Sequence, residues 1–160
     1  MKLAIFDMDG TILDSMGLWL NAGELYLKTL GITAEKDLGK KLFELNMEEG
    51  AEYMKEKYQL PFSVPELCDG INKVLSDAYE NSLKLKPGAF EFLTMLKKKG
   101  IKTALCTNTS DQLFEKAFDR LKINELFDFK MYTGKFNFSK SNPDVFFYIS
   151  GFFDARPDET

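Results

Sequence analysis

The chain has 160 residues, of which 44% are hydrophobic, a net charge of −4 and no histidine. The missing histidine excludes a Ser-His-Asp triad, an HExxH zinc protease and a phosphohistidine intermediate, so carboxylates, lysine and hydroxyls must carry any chemistry. The acidic balance argues against a general nucleic-acid binder, and two cysteines far apart, Cys68 and Cys106, indicate neither a zinc site nor a disulfide framework.

The first predicted element is a short buried strand, Lys2 to Phe6, ending in Asp7-Met8-Asp9-Gly10-Thr11. In an open parallel sheet, ligands gather beyond the carboxyl ends of the strands, and this strand delivers two acids there. Like charges so close would raise one another's pKa without a cation between them, so the pair asks for a metal such as Mg2+. No basic leader, long apolar run or cleavage site precedes the strand. The expectation is therefore a cytoplasmic protein with no membrane association.

From about Met16 to Leu83 the pattern is helical throughout. Leu18, Trp19, Ala22, Leu25, Tyr26 and Leu30 follow one helical face, and Gly31 suits a left-handed end. Asn46 with Glu49, and Ser63 with Glu66, predict two reciprocal N-terminal caps. Lys84-Leu85-Lys86-Pro87-Gly88 reads as a hinge before a helix from Ala89, whose basic end Lys97-Lys98-Lys99-Gly100 complements the helix dipole.

Ile101 to Cys106 then reads as a strand, Ser110 to Leu121 as a helix, Phe127 to Tyr132 as a strand and Asn142-Pro143-Asp144 as the start of a last helix. This is α/β grammar. The predicted organisation is a core of residues 1–15 and 84–160 interrupted by a helical insertion, 16–83. Two further features lie at predicted strand ends. Thr107-Asn108-Thr109-Ser110 opens a helix, where free N–H groups and the helix dipole attract anions, although Thr and Ser cap helices everywhere. Lys140 follows a polar loop and precedes the last helix, where its point charge can neutralise a phosphoryl group.

The order of these elements resembles the haloacid dehalogenase superfamily, in its phosphatase branch with a helical cap inserted after the first strand. Asp7 to Thr11 with Asp14-Ser15 is similar to the family's first motif, and Thr107 and Lys140 match the second and third. The resemblance implies a Rossmann-like parallel sheet core and a helical cap. It also implies a Mg2+-dependent phosphatase with Asp7 as nucleophile and Asp9 as general acid/base. Mg2+ would meet Asp7 and Asp9, while Gly10, Thr11, Thr107, Asn108 and Lys140 would bind the phosphoryl group.

The implied substrate is a small phosphorylated metabolite such as a sugar phosphate or phosphoglycolate. Met16, Trp19 and Asn21 are candidates for the cap's substrate-facing surface, and packing of the cap explains Met16 and Trp19 equally well. Oligomeric state is not readable. The rival in the same branch is a sugar-phosphate mutase such as β-phosphoglucomutase. Those enzymes carry histidine where Trp19 stands and usually valine where Thr11 stands, and both departures favour hydrolysis.

The family's fourth acidic motif would follow Ala155 to Thr160. The expectation is thus a shortened phosphatase lacking its C-terminal core strands, with β1 left at the sheet edge, weak Mg2+ binding and slow turnover. A non-catalytic phosphate-binding fragment is the alternative.

Overall fold

The computed structural model describes residues 1–136 and 140–160. Its elements in order are β1 (Leu3–Phe6), α1 (Met16–Thr29), α2 (Leu38–Phe43), α3 (Met47–Tyr58), α4 (Val64–Asn81), α5 (Ala89–Lys98), β2 (Lys102–Thr107), α6 (Asp111–Leu121), β3 (Phe129–Tyr132) and α7 (Asp144–Phe152). They fall into two compact units, one of Met1–Asp14 with Leu83–Thr160 and the other of Ser15–Ser82.

The first unit is built on a parallel sheet in the order β1-β2-β3, with β1 at one edge. Leu3 stands opposite Lys102 and Phe6 opposite Leu105, while Ala104 pairs with Phe129 and Thr107 with Tyr132. Because side chains alternate along a strand, two layers of helix can be packed from one set of residues. Leu3, Ala104, Cys106 and Met131 meet Val145 and Ile149 of α7 on one face. On the other, the Phe6 ring sits edge-on to Phe92 of α5 and to Phe127, which stacks on Phe118 of α6. The α/β architecture expected from the sequence is the one observed.

The last strand is shorter than the sequence suggests. It begins at Phe129 rather than Phe127, because Asn124–Leu126 closes a 3-10 turn and Phe127 joins the aromatic cluster. The Asp128 carboxylate anchors that turn to β2, accepting from the Thr103 N–H (3.0 Å) and from Lys102 Nζ (2.8 Å). The polar loop expected ahead of Lys140 falls on residues 137–139, outside the described residues.

The two stems leading out of this unit are zipped together. Leu13 and Leu85 form an antiparallel bridge, flanked by Asp14 N–H to Lys84 O (2.9 Å) and Lys86 N–H to Ile12 O (2.8 Å). The segment after β1 is therefore held at both ends, by the strand and by this ladder.

The second unit is helical, with Leu27, Leu38, Met54, Leu67, Ile71 and Leu75 in its core. Both expected caps form. The Glu49 N–H donates to Asn46 Oδ1 and the Asn46 N–H to Glu49 Oε2, and Ser63 with Glu66 repeats the arrangement. The short helix α2 was not separately legible. It approaches α1 so closely that a Cβ on Gly39 would stand 2.1 Å from the Leu20 carbonyl oxygen, which explains a glycine inside a helix where it otherwise costs stability.

Candidate active site

β1 ends at Phe6, and Asp7 is the first residue past it. Gly10 takes φ 76°, a left-handed conformation that glycine adopts without steric cost. The turn closes on buried Met8, whose carbonyl accepts from the N–H groups of Thr11 (3.2 Å), Ile12 (2.9 Å) and Leu13 (3.0 Å). The Gly10 N–H donates to Leu13 O at 2.9 Å. The amides of Gly10 and Thr11 thus shape the turn from within, and the side chain of Thr11 is exposed.

Lys140 pairs with Asp7, so residues separated by 133 positions meet at one point. Their side chains are 25% and 48% exposed respectively, enough for a ligand to reach either. Lys140 is thus a cation beside Asp7, a different group from the metal that the acid pair asks for.

Thr107 is the last residue of β2 and is buried. Its Oγ1 accepts from the Thr109 N–H at 3.1 Å, so its own hydroxyl proton remains available to donate. Asn108 is exposed, and its Oδ1 accepts from the buried Thr133 hydroxyl at 2.7 Å, which leaves the amide NH2 as its outward donor. Thr109 is also buried, and its hydroxyl donates to Asp9 Oδ2 at 2.6 Å. Ser110 stands at the N-cap of α6 with no side-chain cap bond.

The sequence marks Thr109 only as part of the Thr107-Asn108-Thr109-Ser110 segment, with no role of its own, and does not mark Thr133. A threonine after a strand looks like an ordinary cap or turn residue, and only the fold reveals which group its hydroxyl meets.

Cys106, one position before Thr107, is buried. Burial pushes its thiol up, Asp7 adds to that and Lys140 opposes it. A thiol favoured in its neutral form is a poor nucleophile.

The acids near the C-terminus do not join this group. Glu159 pairs with Lys2 at 2.9 Å and Asp158 with Arg156 at 3.1 Å. Lys2 precedes β1 and Asp7 follows it, a separation of roughly 16 Å at about 3.3 Å per extended residue. What the described residues offer a metal is two carboxylates, Asp7 and Asp9, and backbone carbonyl oxygen. No group of three or more acidic or cysteine side chains that could hold a metal gathers among the described residues; the two carboxylates are hard oxygen donors, the type that Mg2+ takes together with water and substrate phosphate.

Of the residues proposed to face substrate, all three lie on α1 in the helical unit. Trp19 is partly buried against that unit's core, and its Nε1 donates to the Tyr79 hydroxyl at 3.0 Å. Met16 and Asn21 are exposed, and Asn21 Nδ2 donates to Gly17 O at 2.7 Å. No helix among the described residues is long and apolar enough to cross a membrane.

Known proteins are similar to this chain over nearly its whole length. The model of the haloacid dehalogenase-like hydrolases matches residues 4–160. A phosphorylated carbohydrates phosphatase of Thermotoga maritima is 24% identical over 159 residues, covering 99% of this chain and 74% of that protein. Among solved structures, a Thermotoga maritima protein assigned as a β-phosphoglucomutase superposes with a TM-score of 0.88 at 24% identity, covering 98% of this chain and 73% of that one. A Bacillus subtilis protein assigned as a HAD-hydrolase and solved bound to magnesium gives 0.74 at 17% identity, covering 99% and 75%.

Proposed function

Because the chain belongs to the haloacid dehalogenase-like hydrolase family, we propose that it is a phosphatase acting on a small phosphorylated metabolite through an aspartyl-phosphate. The observation that carries this reading is the pairing of Lys140 with Asp7 beside the end of β2, where Thr107 and Asn108 present donors.

In the proposed cycle Asp7 attacks phosphorus and the bond to the leaving oxygen breaks, while Asp9, initially protonated, gives its proton to that oxygen. The Asp9 carboxylate then accepts a proton from a water molecule that attacks the phosphoryl group, which frees Asp7 and releases phosphate. Through both steps the charge of the transferring group is met by Lys140, the Thr107 hydroxyl and the Asn108 amide. Mg2+, held by the Asp7 carboxylate and the Asp9 carbonyl, would supply further charge neutralisation. Gly10 and Thr11 fix the turn that sets the spacing of Asp7 and Asp9.

The substrate class follows the phosphorylated carbohydrates phosphatase named above. Choice of leaving group is assigned to the helical unit acting as a cap, with Met16, Trp19 and Asn21 as its candidate residues. Hydrolysis is preferred to mutase chemistry because the position that resembles the mutase histidine is Trp19, and its ring nitrogen already serves Tyr79.

Initial rates on p-nitrophenyl phosphate test the proposal. Turnover is expected to require Mg2+ and to fall to background in Asp7→Asn. Unchanged activity in that variant would overturn the nucleophile assignment.

A further inference from the structure

We propose that Thr109 is a positioning residue that orients Asp9 for proton transfer, an inference that rests on the reading of Asp9 as general acid/base. The contact joins residues 100 positions apart, at 2.6 Å, and Thr109 is 7% exposed. A buried hydroxyl has a single proton to donate, and here it is directed at Asp9 Oδ2.

The same residue is anchored from its backbone. Its N–H donates to Thr107 Oγ1 at 3.1 Å, so one threonine sets both the Thr107 hydroxyl and the Asp9 carboxylate. Helix capping does not account for it, since the N-cap of α6 is Ser110. A carboxyl group in a turn after a short strand can rotate about its side-chain torsions. A proton donor or acceptor loses efficiency when it rotates away, because transfer needs the donor oxygen within hydrogen-bond reach of the reacting one.

This role separates leaving groups. An alkyl phosphate expels a strongly basic alkoxide and depends on protonation by Asp9, whereas p-nitrophenolate leaves with little help. Thr109→Val is expected to lower kcat/KM for a simple alkyl phosphate roughly 10- to 100-fold, the scale of a misplaced catalytic group. The loss on p-nitrophenyl phosphate should be a few-fold at most, and Thr109→Ser should restore both.

In an Asp9→Asn background, Thr109→Val should cost nothing further, because the group it orients is gone. Equal losses on both substrates, no loss on either, or full additivity with Asp9→Asn would overturn the proposal. If Thr109→Val does not fold, Thr109→Ala carries the same comparison. The Asp9→Asn variant alone tests the underlying reading: unimpaired alkyl phosphate turnover there would remove Asp9 from acid catalysis, and with it the premise for Thr109.

Discussion

Each of the two units is organised internally by contacts of a different range. In the helical unit the contacts that start helices are short in sequence, Asn46 with Glu49 and Ser63 with Glu66, and longer ones such as Trp19 with Tyr79 join the helices once formed. In the sheet unit the contacts at the site bridge most of the chain, Asp7 with Lys140 across 133 positions and Asp9 with Thr109 across 100, and Asn108 with Thr133 and Thr103 with Asp128 join neighbouring strands. The helical unit therefore forms its elements locally and needs packing only to assemble them. The sheet unit has no site until distant segments are in register, and substitutions in the two units should consequently fail in different ways.

The largest expected effect is at the long-range pair. Lys140→Met removes the cation beside Asp7, and kcat/KM for p-nitrophenyl phosphate should fall by about 10²- to 10³-fold, comparable to losing one preorganised electrostatic donor. Thermal unfolding should change little, since an exposed ion pair contributes about 0–1 kcal/mol. A marked loss of stability with retained turnover would make the pair structural and reverse the contrast.

Next comes the close approach of α1 and α2. Gly39→Ala places a methyl group against the Leu20 carbonyl and should lower the unfolding free energy by about 1–3 kcal/mol, as overpacking does. Denaturant titration measures this, and an unchanged midpoint would show that the helices separate freely.

The smallest effect concerns pH. Glu35 lies in the loop between α1 and α2, where hydrogen bonds from Tyr53, Lys41 and Lys57 hold its carboxyl down to about 2 from an ordinary 4.5. A depressed carboxyl contributes stability above its unfolded value and loses it as pH falls from about 4.5 towards 2. Acid titrations of the native chain and of Glu35→Gln should therefore converge over that window. Parallel curves would exclude the cluster from acid sensitivity.

The same difference in range explains what could be read from the sequence. Capping boxes and the left-handed end at Gly31 are local patterns, and both formed where the residues pointed. Asp7, Asp9 and Thr107 could be placed at one edge of the sheet because strand ends converge there, and Lys140 by its position before the last helix, while their chemical roles rest on the family resemblance. The contacts of Thr109 and Thr133 were not legible, since a hydroxyl can cap, pack or orient a neighbour without any change in its own sequence setting. The early start expected for β3 failed at Phe127 because an aromatic residue suits a strand and a cluster equally well, and packing on Phe118 decided the matter.

The central claim is a bond between Asp7 and phosphorus, and chemical trapping during turnover tests it most directly. Rapid quenching followed by borohydride reduction converts an acyl phosphate to an alcohol, so peptide mass spectrometry should find homoserine at position 7, and none in the Asp7→Asn variant. Reduction at another carboxylate, or none while phosphate is being released, would contradict the account.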